Sequence, residues 1–235
     1  MNLILLFEED FSDKNTVRLR GRRLKHAIDV LRPSEGDDLT VGLLNGQAGR
    51  GTITSISREE LVMTVVLDSE APPPLPLTLI LALPRPKMLR RVLFSAACMG
   101  VKKIYLINAA RVEKSFWKSP LLSEERIREQ LMLGLEQAED TSMPEVILRP
   151  LFRPFVEDEL PAIVKDTLAL VAHPAAEHAC PRGVENHVTL AVGPEGGFIP
   201  YEIEKFVSLG FRPVSMGRRL LRVETAVPAL LARLF

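Results

Sequence analysis

A run of prolines, Ala71-Pro72-Pro73-Pro74-Leu75-Pro76, cuts this chain where its hydrophobic rhythm changes. Proline carries no N–H for a sheet ladder and favours extended linker geometry, so no regular element is expected to cross the run. The 235 residues are enough for one large domain or two modest ones. The prolines argue for two: a block over 1–70, a linker over 71–76 and a second block over 77–235.

The two blocks have different periods. Before the linker, 38–44, 50–56 and 61–67 are short runs rich in Val, Ile and Thr, punctuated by Gly42, Gly46, Gly49 and Gly51. One helix is predicted over 24–31, with Leu24, Ala27, Ile28 and Leu31 on one face. This is the pattern of a small β-barrel of the kind that binds RNA. After the linker, apolar strand-length runs at 77–83, 103–107, 167–172, 187–192 and 213–216 alternate with helical spacing at 87–99, 124–137, 200–209 and 223–234. Such alternation predicts an α/β fold with a mostly parallel sheet covered by helices.

Chemistry gathers in the last third. Ala191-Val192-Gly193-Pro194-Glu195-Gly196-Gly197-Phe198 and Met216-Gly217-Arg218-Arg219-Leu220-Leu221-Arg222-Val223-Glu224-Thr225-Ala226 each run from an apolar strand into glycine and then charge. In open α/β sheets ligands bind outside the C-terminal strand edges, so the two loops predict one pocket. Gly196 and Gly197 let a ligand approach the backbone closely. There is no phosphate-loop lysine and no dinucleotide fingerprint, so recognition is expected through main-chain amides and carbonyls. A helix start explains Glu224, which favours the positive end of the helix dipole. It leaves Arg222 unexplained, unless an anion visits beside it.

Charge is balanced at 30 Lys and Arg against 30 Asp and Glu, so nucleic-acid binding must rest on local patches. Three exist. Lys14, Arg18, Arg20, Arg22, Arg23 and Lys25 form an acid-free run; Arg85, Lys87, Arg90 and Arg91 form a second; Arg212, Arg218, Arg219 and Arg222 form a third. Cys98 and Cys180 lie far apart, with neither metal-site spacing nor the density of a disulfide scaffold, so no metal is expected. The apolar run 3–7 is too short for a signal-peptide core or a membrane span, and the expectation is a cytoplasmic protein without membrane contact.

Four segments in order carry a family resemblance: Leu83-Pro84-Arg85-Pro86-Lys87-Met88, Ala172-His173-Pro174, the GPEGG loop and the LLRVETA run. Together with His26-Ala27-Ile28-Asp29-Val30-Leu31-Arg32 they resemble the ribosomal RNA small subunit methyltransferase E family of the SPOUT superfamily, over essentially the whole chain. That family methylates N3 of a uridine in 16S rRNA. The resemblance implies a PUA-like barrel, a C-terminal chain threaded into a deep trefoil knot, S-adenosylmethionine held bent in the knot loops, and a homodimer packed through the knot helices. On the matching positions it implies cofactor contacts from His173, Gly193, Glu195, Gly196, Gly197, Met216, Gly217, Leu220, Leu221 and Thr225. Catalysis falls to Arg222 and Glu224. RNA contacts fall to Arg18, Arg20, Arg22, Arg23, Lys25, Arg32, Arg85 and Lys87, with 16S rRNA or the small subunit as partner. The chain departs from the family after Gln137, where Ala138-Glu139 stands in place of a small residue followed by arginine.

Methyl transfer from a sulfonium to uracil N3 needs alignment and loss of a weakly acidic proton. Arg222 can stabilise the resulting anion, and Glu224 or Glu195 can accept the proton, unless Glu224 only orients Arg222. A SPOUT enzyme acting on another base or a ribose 2′-hydroxyl needs similar groups. A non-catalytic ribosome-assembly protein would also keep the barrel and knot.

Overall fold

The computed structural model describes residues 2–235. They divide into two compact units, one running to Pro73 and including Met132–Met143, the other comprising Pro74–Leu131 and Pro144–Phe235. Residues 70–76 carry neither helix nor strand.

The first unit holds β1 Ile4–Leu6, β2 Thr16–Leu19, α1 Gly21–His26, β3 Asp38–Leu43, β4 Ala48–Ile56 and β5 Leu61–Ser69. The sheet order is β1-β3-β4-β5-β2. β1 runs parallel to β3 and the other neighbours are antiparallel. Side chains alternate across each strand, so Val17 and Leu19, then Leu61, Met63 and Val65, fall on one face and make the core with Ile4, Leu6 and Ile53. The expected barrel is not closed among the described residues: the five strands form an open sheet, with β1 and β2 left at its two edges. Gly49 is required where β4 bulges, because a Cβ there would lie 2.0 Å from the Val66 carbonyl oxygen.

The helix predicted over 24–31 is shorter and differently wound. α1 ends at His26, and Ala27–Leu31 continues as a wide π-type turn closed by Arg32 in the left-handed region, φ 53°. Leu24 and Ala27 are buried as expected, but the wider turn rotates Leu31 out of their face into solvent.

The second unit is built on β6 Leu77–Ala82, α2 Pro86–Cys98, β7 Lys103–Ile107, α3 Glu124–Ala138 (to Leu131), β8 Glu145–Arg149, α4 Phe152–Pro154, α5 Leu160–Ile163, β9 Leu168–Ala172, β10 Val188–Val192, α6 Pro200–Ser208, β11 Arg212–Val214 and α7 Val223–Leu234. Its six strands lie in the order β11-β9-β10-β6-β7-β8, all parallel. β6 and β10 are buried along their whole length, as expected of strands covered on both faces. Pro86 and Pro200 open α2 and α6 at the first turn, where a missing N–H costs nothing. α7 packs on α2, and its Val227, Leu230, Leu231 and Leu234 are buried in this unit, whereas Phe235 is exposed. β8, α4 and α5 have no counterpart in the sequence pattern: β8 is half-buried without a clean alternation. No helix among the described residues is long and apolar enough to cross a membrane.

Candidate functional site

Strand register decides where the chemistry goes. Ala172, Val192 and Val214 stand at one level of the sheet, and Leu81 pairs with Val192 on its other side. The residues that follow, His173, Gly193 and Ser215, therefore leave the sheet side by side at its C-terminal edge. Between their loops and the start of α7 lies a cavity of about 360 Å³. His173, Gly193, Glu195, Gly196, Gly197, Met216, Gly217, Leu220 and Leu221 all line it, and Thr225 does not. Its deeper wall is apolar: Val192, Phe198, Val214, Val223 and Leu230 are buried there.

The first loop folds onto itself. The Pro194 carbonyl accepts the Gly197 N–H at 2.7 Å, and Gly197 sits at φ +71°. A Cβ on Gly193 would meet Phe198 N at 3.0 Å. Phe198 anchors the loop by packing its ring at a tilt against Phe206, ring centroids 5.0 Å apart. Glu195 is already engaged, since its Oε1 accepts the Arg85 N–H at 2.9 Å and so ties this loop to the turn before α2.

The second loop passes through Gly217 at φ +103° and presents Leu220 80% exposed while still lining the cavity. Arg222 is the residue before α7: extended at φ −68°, ψ 153°, its carbonyl accepts the N–H groups of Thr225 and Ala226. Its side chain is exposed and lines neither cavity of this unit. Val223 and Ala226 face the cavity, whereas Glu224 turns toward α2. There its Oε1 lies 3.8 Å from Arg91 Nη1, and its buried Oε2 has no hydrogen-bond partner. The cation beside Glu224 is thus Arg91, which removes the ground for treating Glu224 as a support for Arg222.

Arg111 joins the site unannounced by any motif. It follows β7, lines the cavity, and donates through Nη1 to the Gly196 carbonyl in a short contact. A Cβ on Gly196 would lie 2.9 Å from Arg111 Cδ, so this glycine makes room for the arginine. Both segments are held by Glu202, a carboxylate 2% exposed. Its Oε1 accepts the Ala110 N–H at 2.7 Å and its Oε2 the Ile199 N–H at 2.9 Å. The latter bond is the reach-back half of a capping box, placed at the third residue of α6. Arg111 stands beyond Asn108, Ala109 and Ala110 in the loop after the predicted strand 103–107, where only its position past a strand's C-terminal end could have pointed to it.

Residues 71–235 match the family described as the RNA methyltransferase domain. The chain is 32% identical to the ribosomal RNA small subunit methyltransferase E of Treponema pallidum, over 99% of this chain and 90% of that one. The chain belongs to the ribosomal RNA small subunit methyltransferase E family. The Synechocystis member is 27% identical over 93% of this chain and 72% of its own length. In fold, the chain resembles the member from Neisseria gonorrhoeae solved bound to S-adenosyl methionine, with a TM-score of 0.75 and 24% identity over 99% of this chain and 95% of that one.

In this member of the family the acid-free basic run finds acids from elsewhere in the first unit. Arg18 and Arg20 share Glu60 at 2.8 and 2.7 Å. Arg22 holds the fully buried Glu136 through two bonds of 3.0 and 2.8 Å. Arg23 pairs with Asp10, lies over the Phe7 ring at 4.5 Å, and donates to the Leu5 carbonyl. A buried carboxylate demands such a partner, so Arg22 and Arg23 serve the fold before any ligand. Lys25 is exposed, and Arg32 turns back on the Asp29 carbonyl at 3.4 Å. Of the other two expected RNA contacts, Arg85 caps α2 and Lys87 lines a second cleft beside α2. Glu139, after the Ala138 that ends α3, holds a left-handed position, φ 56°.

Proposed function

We propose that this chain transfers a methyl group from S-adenosylmethionine to N3 of a uridine in 16S rRNA. The observation that carries the reading is the glycine-walled cavity at the C-terminal edge of β9, β10 and β11. Its residues suit the cofactor: buried apolar side chains for an adenosine, main-chain groups of Gly193, Gly196, Gly197 and Gly217 for its polar edges, and no lysine for a phosphate. S-adenosylmethionine bound there supplies an electrophilic methyl on a sulfonium. Arg111 and Glu195 put both charge signs at the cavity's exposed rim, which suits a zwitterionic amino-acid end.

The remaining work belongs to side chains. Arg222, free to reach from the start of α7, stabilises the anion that spreads over N3 and its flanking carbonyl oxygens. Glu224, two residues onward with an unpaired oxygen, is our candidate acceptor for the N3 proton, directly or through water. Glu195 is less suited, because it already caps the turn before α2. The path of the chain from β10 back to β11, beside β9, is compatible with the threaded C-terminus that the resemblance implies. The dimer it implies would be symmetric and bury at least about 1,000 Å²; a monomer alone in sedimentation at micromolar concentration would exclude it.

Arg222→Ala is the direct test. Loss of one transition-state donor costs about 10²–10³ in rate, about 2.7–4 kcal/mol, with cofactor binding kept. Arg222→Lys should rescue poorly, since a point charge does not reproduce a planar fork. Near-wild-type single-turnover rates for Arg222→Ala would refute the assignment. Nucleoside mass spectrometry of rRNA, from cells with and without the gene, reads the product; a ribose-methylated or other base product would refute N3.

A further inference from the structure

We infer that Arg111 makes the cavity selective for a sulfonium donor that carries a carboxylate, so that a decarboxylated S-adenosyl compound is a poor ligand. The inference rests on the methyltransferase reading and adds to it which group of the donor is read, and by which side chain.

The stem of Arg111 is laid along the GPEGG loop. A Cβ on Gly196 would lie 2.9, 3.3 and 3.6 Å from Arg111 Cδ, Cβ and Cγ, so the stem packs on the bare face of that glycine. At its end Nη1 donates to the Gly196 carbonyl. A guanidinium carries five N–H donors in a fixed fork, and those not spent on Gly196 remain for a ligand in the cavity that Arg111 lines. The backbone beneath is fixed too, because Glu202 accepts the N–H of Ala110, the residue before. A cation placed before its ligand arrives loses little freedom on binding, and a guanidinium can take a carboxylate through two parallel bonds. Arg219 is the other arginine that lines the cavity. It follows Gly217 on the second loop, and its side chain has no hydrogen bond or ion pair among the described residues. Ordering it on a ligand would cost side-chain entropy that Arg111 has already given up. The ammonium of the donor, which Glu195 suits, survives decarboxylation, so the carboxylate is what separates the two compounds.

The test is calorimetry on the full chain with S-adenosylhomocysteine and its decarboxylated analogue, S-adenosyl-3-thiopropylamine. The two share adenosine, sulfur and ammonium and differ only in the carboxylate. The wild type should prefer S-adenosylhomocysteine at least about tenfold, the effect of one hydrogen bond to a charged group. Arg111→Ala should bring the two affinities within about threefold, by weakening S-adenosylhomocysteine and sparing the analogue. Arg111→Lys keeps the charge without the fork, and its preference should fall between. An equal loss for both ligands in Arg111→Ala would make Arg111 a support of the loop and overturn the inference. So would collapse of the preference in Arg219→Ala with Arg111→Ala unaffected, or a loss that appears only as the chain dissociates in sedimentation. If Arg111→Ala fails to fold, Arg111→Lys decides, and an undiminished preference there overturns the inference. A wild type that binds both compounds equally would leave the methyltransferase reading standing and refute the selectivity alone. A wild type that binds neither would refute the methyltransferase reading itself.

Discussion

Glu202 offers the sharpest quantitative check on how the site is held. It is buried, and both carboxylate oxygens are spent on main-chain N–H groups, one from Ala110 beside Arg111 and one from Ile199 at the start of α6. Hydrogen bonds to a charged group contribute about 1.5–3 kcal/mol each, so two would be worth about 3–6 kcal/mol. Ala110 is exposed and its N–H can turn to water, so the full penalty falls only on the Ile199 side. Glu202→Ala should therefore destabilise the chain by about 2–4 kcal/mol, a large share of the ~5–15 kcal/mol that holds a domain together. Glu202→Gln preserves the shape but turns an amide donor toward one of the two N–H groups, and should lie between, near 1–2 kcal/mol by the loss of about one such bond. Urea titration reads this as a lowered midpoint at unchanged slope. Because the bracket sets Arg111 against Gly196, affinity for S-adenosylhomocysteine should fall in the same order under conditions where every variant is folded. A Glu202→Ala midpoint within about 0.5 kcal/mol of wild type, the size of an ordinary surface change, would refute the energetic argument. Lost stability with unchanged affinity would show that the bracket holds the fold but not the cavity.

Gly196→Val should reduce S-adenosylhomocysteine binding at least tenfold with the fold intact: its Cβ meets only the flexible Arg111 side chain, and Gly196 is not at positive φ. Undiminished binding in calorimetry would remove Gly196 from the cavity wall. Glu60 is held below the usual glutamate range, first by the hydrogen bond from Arg20 and then by the charges of Arg18 and Arg20. A depressed carboxyl stays paired above its ordinary value and lets go only as pH falls through its lowered one, so at neutral pH both arginines are detained. Glu60→Gln should then strengthen oligouridylate binding at neutral pH, with the advantage over wild type shrinking as pH drops below the usual glutamate range. Equal affinities at neutral pH would mean that Arg18 and Arg20 do not meet RNA.

What was legible in the sequence was local. GPEGG read correctly as a strand end because glycine and proline punctuate the chain whatever packs around them, whereas the strand expected over 213–216 stops at Val214, before the Met216-Gly217 break; Leu168–Ala172, Val188–Val192 and Arg212–Val214 bring the two loops together. What escaped was pairing at a distance. The acids that meet the basic run stand 42, 114 and 13 residues away, so an acid-free stretch of sequence became an acid-paired surface. Arg111 reaches Gly196 across 85 residues, with no repeat or motif to mark it. The basic run does pass from strand into helix, as its alternating arginines suggest: in β2 Val17 and Leu19 point inward while Arg18 between them points out. The wide turn after α1 was invisible because periodicity reports which side chains are apolar and not how tightly the backbone winds.

The start of α7 shows how one short segment can serve two chemistries. Successive helical residues are rotated by about 100°, so Val223, Ala226 and Leu230 share one side while Glu224 looks round the helix toward α2. The apolar side closes the cofactor cavity and the acidic one closes the cationic cleft, with a single helical wall between them. Arg222, lining neither, stands before that wall on extended backbone and is free to turn to either side. The dipole argument leads to the same place. A cation at a helix N-terminus is unfavourable when alone, and an anion developing on a substrate beside the cavity would relieve it.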